Sequence, residues 1–259
     1  MPLQLAFESI GDGPPIVVLH GLFGSRRNWR SIANALSAQF RVFSVDLRNH
    51  GGSPWAATMS YPEMAADVQM LIESERLDRP VVIGHSMGGK TAMTLALERP
   101  EAVGRLIVID IAPVSYVDRV TPFLEAMRDI GTQSVTERAE VIRQMSERVP
   151  DARTVAFLMQ NLVVRDDHFD WQLNLPAIGA ALHTLSDFPA EALLRSYRGP
   201  ATLIYGSLSE YVRPLDPSLI TEAFPTVQMV EIEGAGHWVH VDRPAELLSA
   251  LGLLSVFET

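Results

Sequence analysis

The chain has 259 residues, nearly half of them apolar and a fifth charged, a composition typical of a globular protein with one sizeable core. Its formal net charge of −10 at pH 7 repels the phosphates of nucleic acids and anionic lipid surfaces, so we expect a small-molecule substrate and no nucleic-acid partner. The chain contains no cysteine, which excludes disulfides, thiolate nucleophiles and cysteine-ligated zinc.

The N-terminal residues have neither the basic start nor the apolar stretch of a secretory signal. No uncharged run approaches the roughly 18 residues that a membrane span needs. We therefore expect a cytoplasmic protein without a membrane span. The oligomeric state is open between a monomer and a homodimer.

Short runs rich in Val and Ile alternate with helical patterns in the first half of the chain. The runs lie at residues 16–20, 42–45, 81–83 and 106–109. The helical patterns lie near residues 29–37, 61–76 and 90–99. Because the runs do not alternate polar with apolar residues, we interpret them as strands buried on both faces of a parallel sheet. The order of elements predicts an α/β fold with a doubly wound, mostly parallel sheet.

This rhythm breaks after Pro113. From roughly residue 115 to residue 197 the pattern is helical and has no convincing strand. Strand patterns return at 201–205 and 227–232, with helical patterns near 215–224 and from about 244. We interpret residues 114–197 as a helical cap inserted after the sixth strand, and residues 1–113 and 198–259 as the α/β core. The alternative is that these helices belong to the ordinary outer layer of the fold.

Ser86 stands in the small-residue stretch Gly-His-Ser-Met-Gly at 84–88, between a strand pattern and a helical pattern. A serine on a tight turn from strand to helix needs small neighbours, because the backbone is strained and crowded on both sides. The spacing predicts a nucleophile elbow, with Ser86 as the catalytic nucleophile. A small-residue turn without chemistry is the alternative.

The stretch His-Gly-Leu-Phe-Gly at 20–24 follows the strand pattern at 16–20. In folds with a nucleophile elbow, the corresponding loop supplies one N–H of the oxyanion hole, and the residue after the nucleophile supplies the other. We therefore predict the backbone amides of Leu22 and Met87 as the two donors. Phe23 is a less favoured donor in place of Leu22.

Seven histidines compete for the role of general base. The order nucleophile, acid, histidine favours the last loop, where Gly-Ala-Gly precedes His237. His240, three residues further on, is the less favoured candidate. The acid is ambiguous, because Ser209 stands where an aspartate is expected after the seventh strand. Asp110, at the end of the sixth strand, can serve instead, and its alternative role is to cap the end of that strand.

Together these blocks resemble the α/β-hydrolase superfamily over essentially the full chain, and most closely the YbfF-type bacterial esterases and their abhydrolase-domain relatives. The resemblance rests on residues 20–25, 46–51, 84–90, 109–113 and 236–240. It implies a serine carboxylesterase that hydrolyses short- to medium-chain esters through an acyl-enzyme on Ser86, without a metal or organic cofactor. Thioesters are a second substrate class to test. These relatives also carry serine at the position of Ser209, so the third member stays open between Asp110 and Ser209.

Aromatic residues are the candidates for lining a substrate pocket. They are Phe23, Phe123, Trp171 and Trp238. A carbon–carbon bond hydrolase, an amidase of the same fold and a non-catalytic ligand-binding receptor remain alternatives to the esterase. Lys90 is the only lysine of the chain, and its place just after the elbow suggests a narrow site that a guanidinium would not fit, with chance as the other explanation.

Overall fold

A computed structural model describes residues 1–212 and 215–252. The strands in this part of the chain are β1 (Phe7–Ile10), β2 (Pro15–Leu19), β3 (Arg41–Val45), β4 (Val81–His85), β5 (Arg105–Ile109), β6 (Leu162–Arg165), β7 (His168–Trp171), β8 (Ala201–Gly206) and β9 (Val227–Ile232). The α-helices are α1 (Arg30–Leu36), α2 (Tyr61–Ser74), α3 (Met87–Glu98), α4 (Thr121–Asp129), α5 (Arg138–Arg148), α6 (Ala152–Leu158), α7 (Leu175–Ser186), α8 (Ser218–Thr221), α9 (Val239–Asp242) and α10 (Pro244–Ala250).

The central sheet has seven strands in the order β1-β3-β2-β4-β5-β8-β9. Strand β1 runs antiparallel to β3, and all the other neighbours are parallel. The predicted fold class is confirmed. Because parallel strands end at one common edge, the loops after β2, β4, β5, β8 and β9 meet there, and this edge is where ligands bind in open α/β sheets.

The inner strands are buried on both faces, which explains their unbroken apolar runs. In β2, Val17 and Leu19 pack into one core cluster, whereas Ile16 and Val18 pack into a second cluster on the other face of the sheet. The same alternation occurs in β5 and β8. Two apolar layers therefore hold the sheet, and the site loops extend from a rigid base.

Helices α4 to α7 lie between β5 and β8, in the segment that we call the cap, residues 114–197. The expectation of a cap without strands is wrong, because β6 and β7 form an antiparallel hairpin within it. The strands have only four residues each, and Asp166 and Asp167 join them with positive φ angles of 44° and 69°. Such a turn usually carries glycine or asparagine, so its sequence signal is weak here.

Two further expectations are corrected. The strand before Asp110 is the fifth and not the sixth, because the residues ahead of β1 form no strand. The helix expected near 215–224 is only the short α8. The boundaries at 114 and 197 stay a prediction, and residues 213–214 and 253–259 of the predicted core lie outside the described residues. Across residues 1–212 and 215–252, no helix combines the length and apolarity needed to cross a bilayer.

Candidate active site

Ser86 lies in the turn between β4 and α3, with φ = 51° and ψ = −120°. A positive φ is strained for a residue with a side chain. The flanking glycines are sterically required. A Cβ on Gly84 would lie 2.2 Å from the carbonyl oxygen of Gly88, and a Cβ on Gly88 would lie 2.5 Å from that of Leu19. The turn leaves Ser86 at the wall of a cleft on the carboxyl edge of the sheet.

The imidazole of His237 is bonded to the carboxylate of Asp110, with 2.7 Å between Nδ1 and Oδ2. Asp110 directly follows β5 and is fully buried, whereas His237 follows β9 and has 24% of its side chain exposed. Because an ionised carboxylate only accepts hydrogen bonds, Nδ1 carries the proton and Nε2 keeps its lone pair. The ring lines the same cleft as Ser86, so the predicted nucleophile and the predicted base share one cavity.

Ser209 supports Asp110 and makes no hydrogen bond to the imidazole. Its hydroxyl donates to Oδ2 of Asp110 at 2.6 Å, and the amide of Gly206 donates to Oδ1 at 3.2 Å. The alternative in which Ser209 reaches the ring is therefore corrected. Asp110 leaves β5 with a positive φ of 53°, and this turn puts its carboxylate between Ser209 and the imidazole.

The loop that carries His237 is held from two sides. His85, the residue before the nucleophile, donates from Nε2 to the carbonyl oxygen of His237 at 2.9 Å. Burial, reinforced by the neighbouring His237, holds the pKa of His85 well below its ordinary value, so this ring stays neutral. The ring of Tyr211 stacks on the imidazole, with 4.1 Å between the centroids. These contacts restrict the rotation of the imidazole.

The amides of Leu22 and Met87 make no hydrogen bond to any residue that the structure describes. Leu22 lines the cleft, and Met87 begins α3, where backbone N–H groups lack partners inside the helix. Two free amides close to Ser86 are what an oxyanion hole requires. The amide of Phe23 is not free, because it donates to Nε2 of His50 at 3.2 Å. This bond argues for Leu22 over Phe23 as the donor.

Behind this loop, two buried histidine rings accept hydrogen bonds from backbone amides. His50 accepts from Phe23 and donates from Nδ1 to the carbonyl oxygen of Arg48 at 2.9 Å. His20 accepts from the amide of Leu47 at 3.0 Å and donates to the carbonyl oxygen of Gly21 at 2.8 Å. Burial lowers the pKa of His50 to about 3 and also lowers that of His20. Both rings are therefore neutral, which their acceptor role demands.

The cap holds Phe23 by a hydrogen bond to its carbonyl oxygen. Asn161 donates from Nδ2 to the carbonyl oxygen of Phe23 at 2.8 Å, and both residues are buried. Phe23 also has a positive φ of 59°. Since Phe23 follows Leu22 directly, bonds to its N–H and its C=O position the amide of Leu22. The strained loop is thus clamped by a core histidine and a cap asparagine.

The loop that carries His50 is itself bonded to the cap. The amide of Gly51 donates to the carbonyl oxygen of Gln172 at 3.1 Å, and the amide of Asn174 donates to that of Asn49 at 3.0 Å. The side chain of Asn174 adds a bond of 3.0 Å to Oδ1 of Asn49. The cap therefore reaches the loop of Leu22 by two routes, through Asn161 and through the loop of His50.

The cleft has a volume of about 670 Å³ and runs between the core and the cap. Three of the predicted pocket residues, Phe23, Phe123 and Trp238, line it. Trp171 does not, and that prediction is corrected. Its indole N–H donates to the carbonyl oxygen of Met127 at 2.9 Å, and the ring is buried inside the cap.

Lys90 joins the nucleophile helix to the cap. Its Nζ donates to the carbonyl oxygens of Ser186 and Asp187, at the end of α7, at 2.9 and 2.8 Å. The ammonium also lies 4.9 Å from the ring centroid of Tyr116 and 5.6 Å from that of Tyr61. Burial lowers its pKa to about 7. A narrow site for this lysine exists, and it ties α3 to the C-terminal end of a cap helix.

A family model described as alpha/beta hydrolase fold matches residues 14–244. The chain belongs to the α/β-hydrolase family. This α/β-hydrolase is 39% identical, over 96% of its length, to the sn-1-specific diacylglycerol lipase ABHD11 of Mus musculus, of which the match covers 84%. It is 32% identical to the esterase YbfF of Escherichia coli, with 93% of this chain and 92% of the relative covered.

Among solved structures, the α/β-hydrolase matches a marine microorganism esterase with a TM-score of 0.91 and 36% identity, covering 95% of this chain and 97% of that one. The family and fold class predicted from the sequence are confirmed. The names of the relatives support the predicted enzyme class, a carboxylic ester hydrolase. In the described part of this α/β-hydrolase, no cluster of three or more His, Asp or Glu side chains is arranged to hold a metal ion.

The sequence did not predict four residues that contribute to the site. They are His50, His85, Asn161 and Tyr211. The two histidines stand inside motifs that the sequence singles out, so a signal existed. Asn161 carries no local signal, because its partner Phe23 is 138 positions away in the chain.

Proposed function

We propose that this α/β-hydrolase is a serine carboxylesterase in which Ser86, His237 and Asp110 form the catalytic triad. The observation that carries the proposal is the 2.7 Å bond from His237 to the buried carboxylate of Asp110, in the cleft that Ser86 lines. That bond orients the ring, fixes its tautomer and stabilises the imidazolium that forms when the serine is deprotonated.

In the proposed reaction, Oγ of Ser86 attacks the acyl carbon while Nε2 of His237 takes the hydroxyl proton. The negative charge on the former carbonyl oxygen is stabilised by the free amides of Leu22 and Met87. Collapse of the tetrahedral intermediate passes the proton from His237 to the leaving alcohol and leaves the acyl group on Ser86. A water molecule, activated by the same imidazole, then releases the acid.

The substrate class is part of this proposal. The cleft walls carry Phe123, Phe157 and Trp238, and apolar walls of this kind fit esters better than charged amines. Short- to medium-chain esters remain the predicted substrates, with thioesters to be tested beside them. The cytoplasmic location, the absence of a cofactor and the choice between monomer and homodimer stay predictions from the sequence.

A fluorophosphonate probe and a pH-stat assay with simple esters test the proposal together. The probe should label Ser86 in the wild-type protein, and Ser86→Ala should lose both labelling and turnover. Removing the nucleophile of such a triad lowers the turnover number on the order of a million-fold. Ser146→Ala is the matched control, because Ser146 is exposed on α5 and its hydroxyl donates only to the carbonyl oxygen of Ile142.

The outcomes separate the competing functions. Labelling of Ser86 without hydrolysis of any ester would overturn the ester chemistry and favour an amidase or a carbon–carbon bond hydrolase. An unlabelled serine in the folded protein would favour a ligand-binding receptor. Residual activity above a few per cent in Ser86→Ala would contradict the proposed nucleophile.

A further inference from the structure

Two compartments of very different size meet at Ser86. The larger is the cleft of about 670 Å³, and the smaller is a chamber of about 80 Å³ on the side of Lys90. Four residues line both, namely Leu22, Ser86, Val120 and Tyr211. An acyl carbon bound at Ser86 therefore has two directions in which its substituents can extend.

The position of His237 assigns the two halves of an ester to these compartments. His237 lines the larger cleft and is not part of the wall of the smaller chamber. The leaving oxygen must receive its proton from this imidazole, so the alcohol half has to lie on the side of His237. The acyl half then extends into the smaller chamber. The water that releases the acid also has to approach from the larger cleft.

We propose that this protein hydrolyses esters of short acids with long or bulky apolar alcohols, with the acyl group in the smaller chamber. The inference rests on the proposed esterase function and deepens it. At about 80 Å³ the chamber is several times smaller than the cleft, which has about 670 Å³. With the carbonyl carbon at Ser86, the chamber therefore accepts a shorter chain than the cleft does.

Toward α7, the chamber cannot lengthen without breaking hydrogen bonds. At its far end, Nζ of Lys90 donates to two carbonyl oxygens at the end of α7, and the hydroxyl of Tyr61 donates to a third at 2.7 Å. The hydroxyl of Tyr116 donates to the carbonyl oxygen of Tyr211 at 3.0 Å. This gives the only lysine a role in specificity, because it fixes one wall of the acyl chamber by anchoring the end of α7.

The larger cleft suits an apolar alcohol. Phe123, Phe157 and Trp238 lie on its walls, and the rings of Phe157 and Trp238 are 5.2 Å apart. Arg153 lies 5.7 Å from the ring centroid of Trp238 and is paired with Asp242. Its charge is therefore neutralised, and the wall offers aromatic surface to an alkyl or aryl group.

Two isomeric esters test this division. Octyl acetate and ethyl octanoate have the same atoms and differ only in which half carries the long chain. In a pH-stat assay, wild-type kcat/KM should be on the order of a hundredfold higher for octyl acetate than for ethyl octanoate. Equal values or the reverse order would overturn the inference while leaving the esterase function intact. No hydrolysis of either isomer, or of any simple ester, would instead overturn the proposed function.

A pair of leucine variants in the cap tests the chamber wall. Leu182 lies between the chamber and a neighbouring hollow of about 450 Å³, and it lines both together with Tyr116, Asp118 and Ser186. Leu182→Ala should join them and raise the kcat/KM ratio of ethyl octanoate to octyl acetate at least about tenfold. Leu158→Ala is the matched control, because Leu158 is buried and lines only the larger cleft.

The same shift in both variants would contradict the assignment, as would no shift in a folded Leu182→Ala protein. Thermal unfolding of each variant should be recorded beside the assay. If Leu182→Ala does not fold, the wild-type comparison of the two isomers decides the question alone.

Discussion

The two sides of the candidate site are held by different parts of the molecule. The carboxylate of Asp110 is held by Ser209 and Gly206, and it orients His237, so these bonds join loops of the core alone. The loop of Leu22 depends on the cap, because Asn161 bonds the peptide of Phe23 directly.

In the proposed mechanism, this difference separates the residues of acid–base chemistry from those that bind the oxyanion. A substitution in the cap should therefore displace the amide of Leu22 more than the imidazole of His237. The hydrogen bonds that join Phe23 to His50 and Asn161 also explain how Phe23 keeps a positive φ. A strained backbone conformation persists only where the surrounding structure holds it. Each of the following predictions tests one side against the other.

The largest expected effect is on the core side. Asp110→Asn should lower kcat by roughly ten-thousand-fold, as the same change does in the serine-protease triad, because the amide stabilises the wrong tautomer. Ser209→Ala should cost about five- to thirty-fold, since it removes one bond to the carboxylate worth on the order of 1–2 kcal/mol. Steady-state kinetics on one ester would compare them. A greater loss in Ser209→Ala would contradict the assignment of Asp110.

On the cap side, Asn161→Ala should lower kcat about tenfold with little change in KM, because it loosens the donor at Leu22 without removing it. Gln144→Ala is the control, since its side chain donates to Glu140 within α5 and lines neither the cleft nor the chamber. Labelling by a fluorophosphonate should slow in Asn161→Ala alone. Equal losses in the two variants would show that the cap acts through general stability.

The smallest expected effect concerns pH and stability. Burial lowers the pKa of His50 to about 3 and that of His240 to about 4, and it lowers those of His20 and His85. In the unfolded chain these rings bind protons below about pH 6.5, while the native rings stay neutral. The contribution of these rings to the free energy of unfolding is therefore fully present above that pH. It is lost as the pH falls toward 4, by up to about 1.4 kcal/mol per pH unit for each ring.

Chemical denaturation at pH 7.5 and pH 5 would measure this loss. His50→Gln should show a smaller loss between the two pH values, by about 1 kcal/mol or more, because one buried ring is gone. A variant as acid-sensitive as the wild type would mean that His50 is not a neutral acceptor for Phe23. The loop of Leu22 would then be held through the bond from Asn161 to the carbonyl oxygen of Phe23.

Several features could be predicted because they depend on neighbours in the chain. The apolar runs of β2, β4 and β5 predict strands buried on both faces, and the structure confirms this. The hairpin of β6 and β7 could not be predicted, because its strands are short and its turn lacks glycine. The prediction that Trp171 lines the pocket depends on its residue type alone, and the type of a residue does not say which way its side chain faces.

The order of strands and helices in the core, the elbow around Ser86 and the loop with His237 are properties of short segments, so the sequence by itself determined them. Which carboxylate contacts the imidazole was decided only by the tertiary structure, because Asp110 and His237 are 127 positions apart and meet where β5 and β9 end. The clamp on Phe23 and the two unequal compartments at Ser86 arise in the same way. They depend on how the cap packs on the core, and that packing is a sum of distant contacts that no local pattern records.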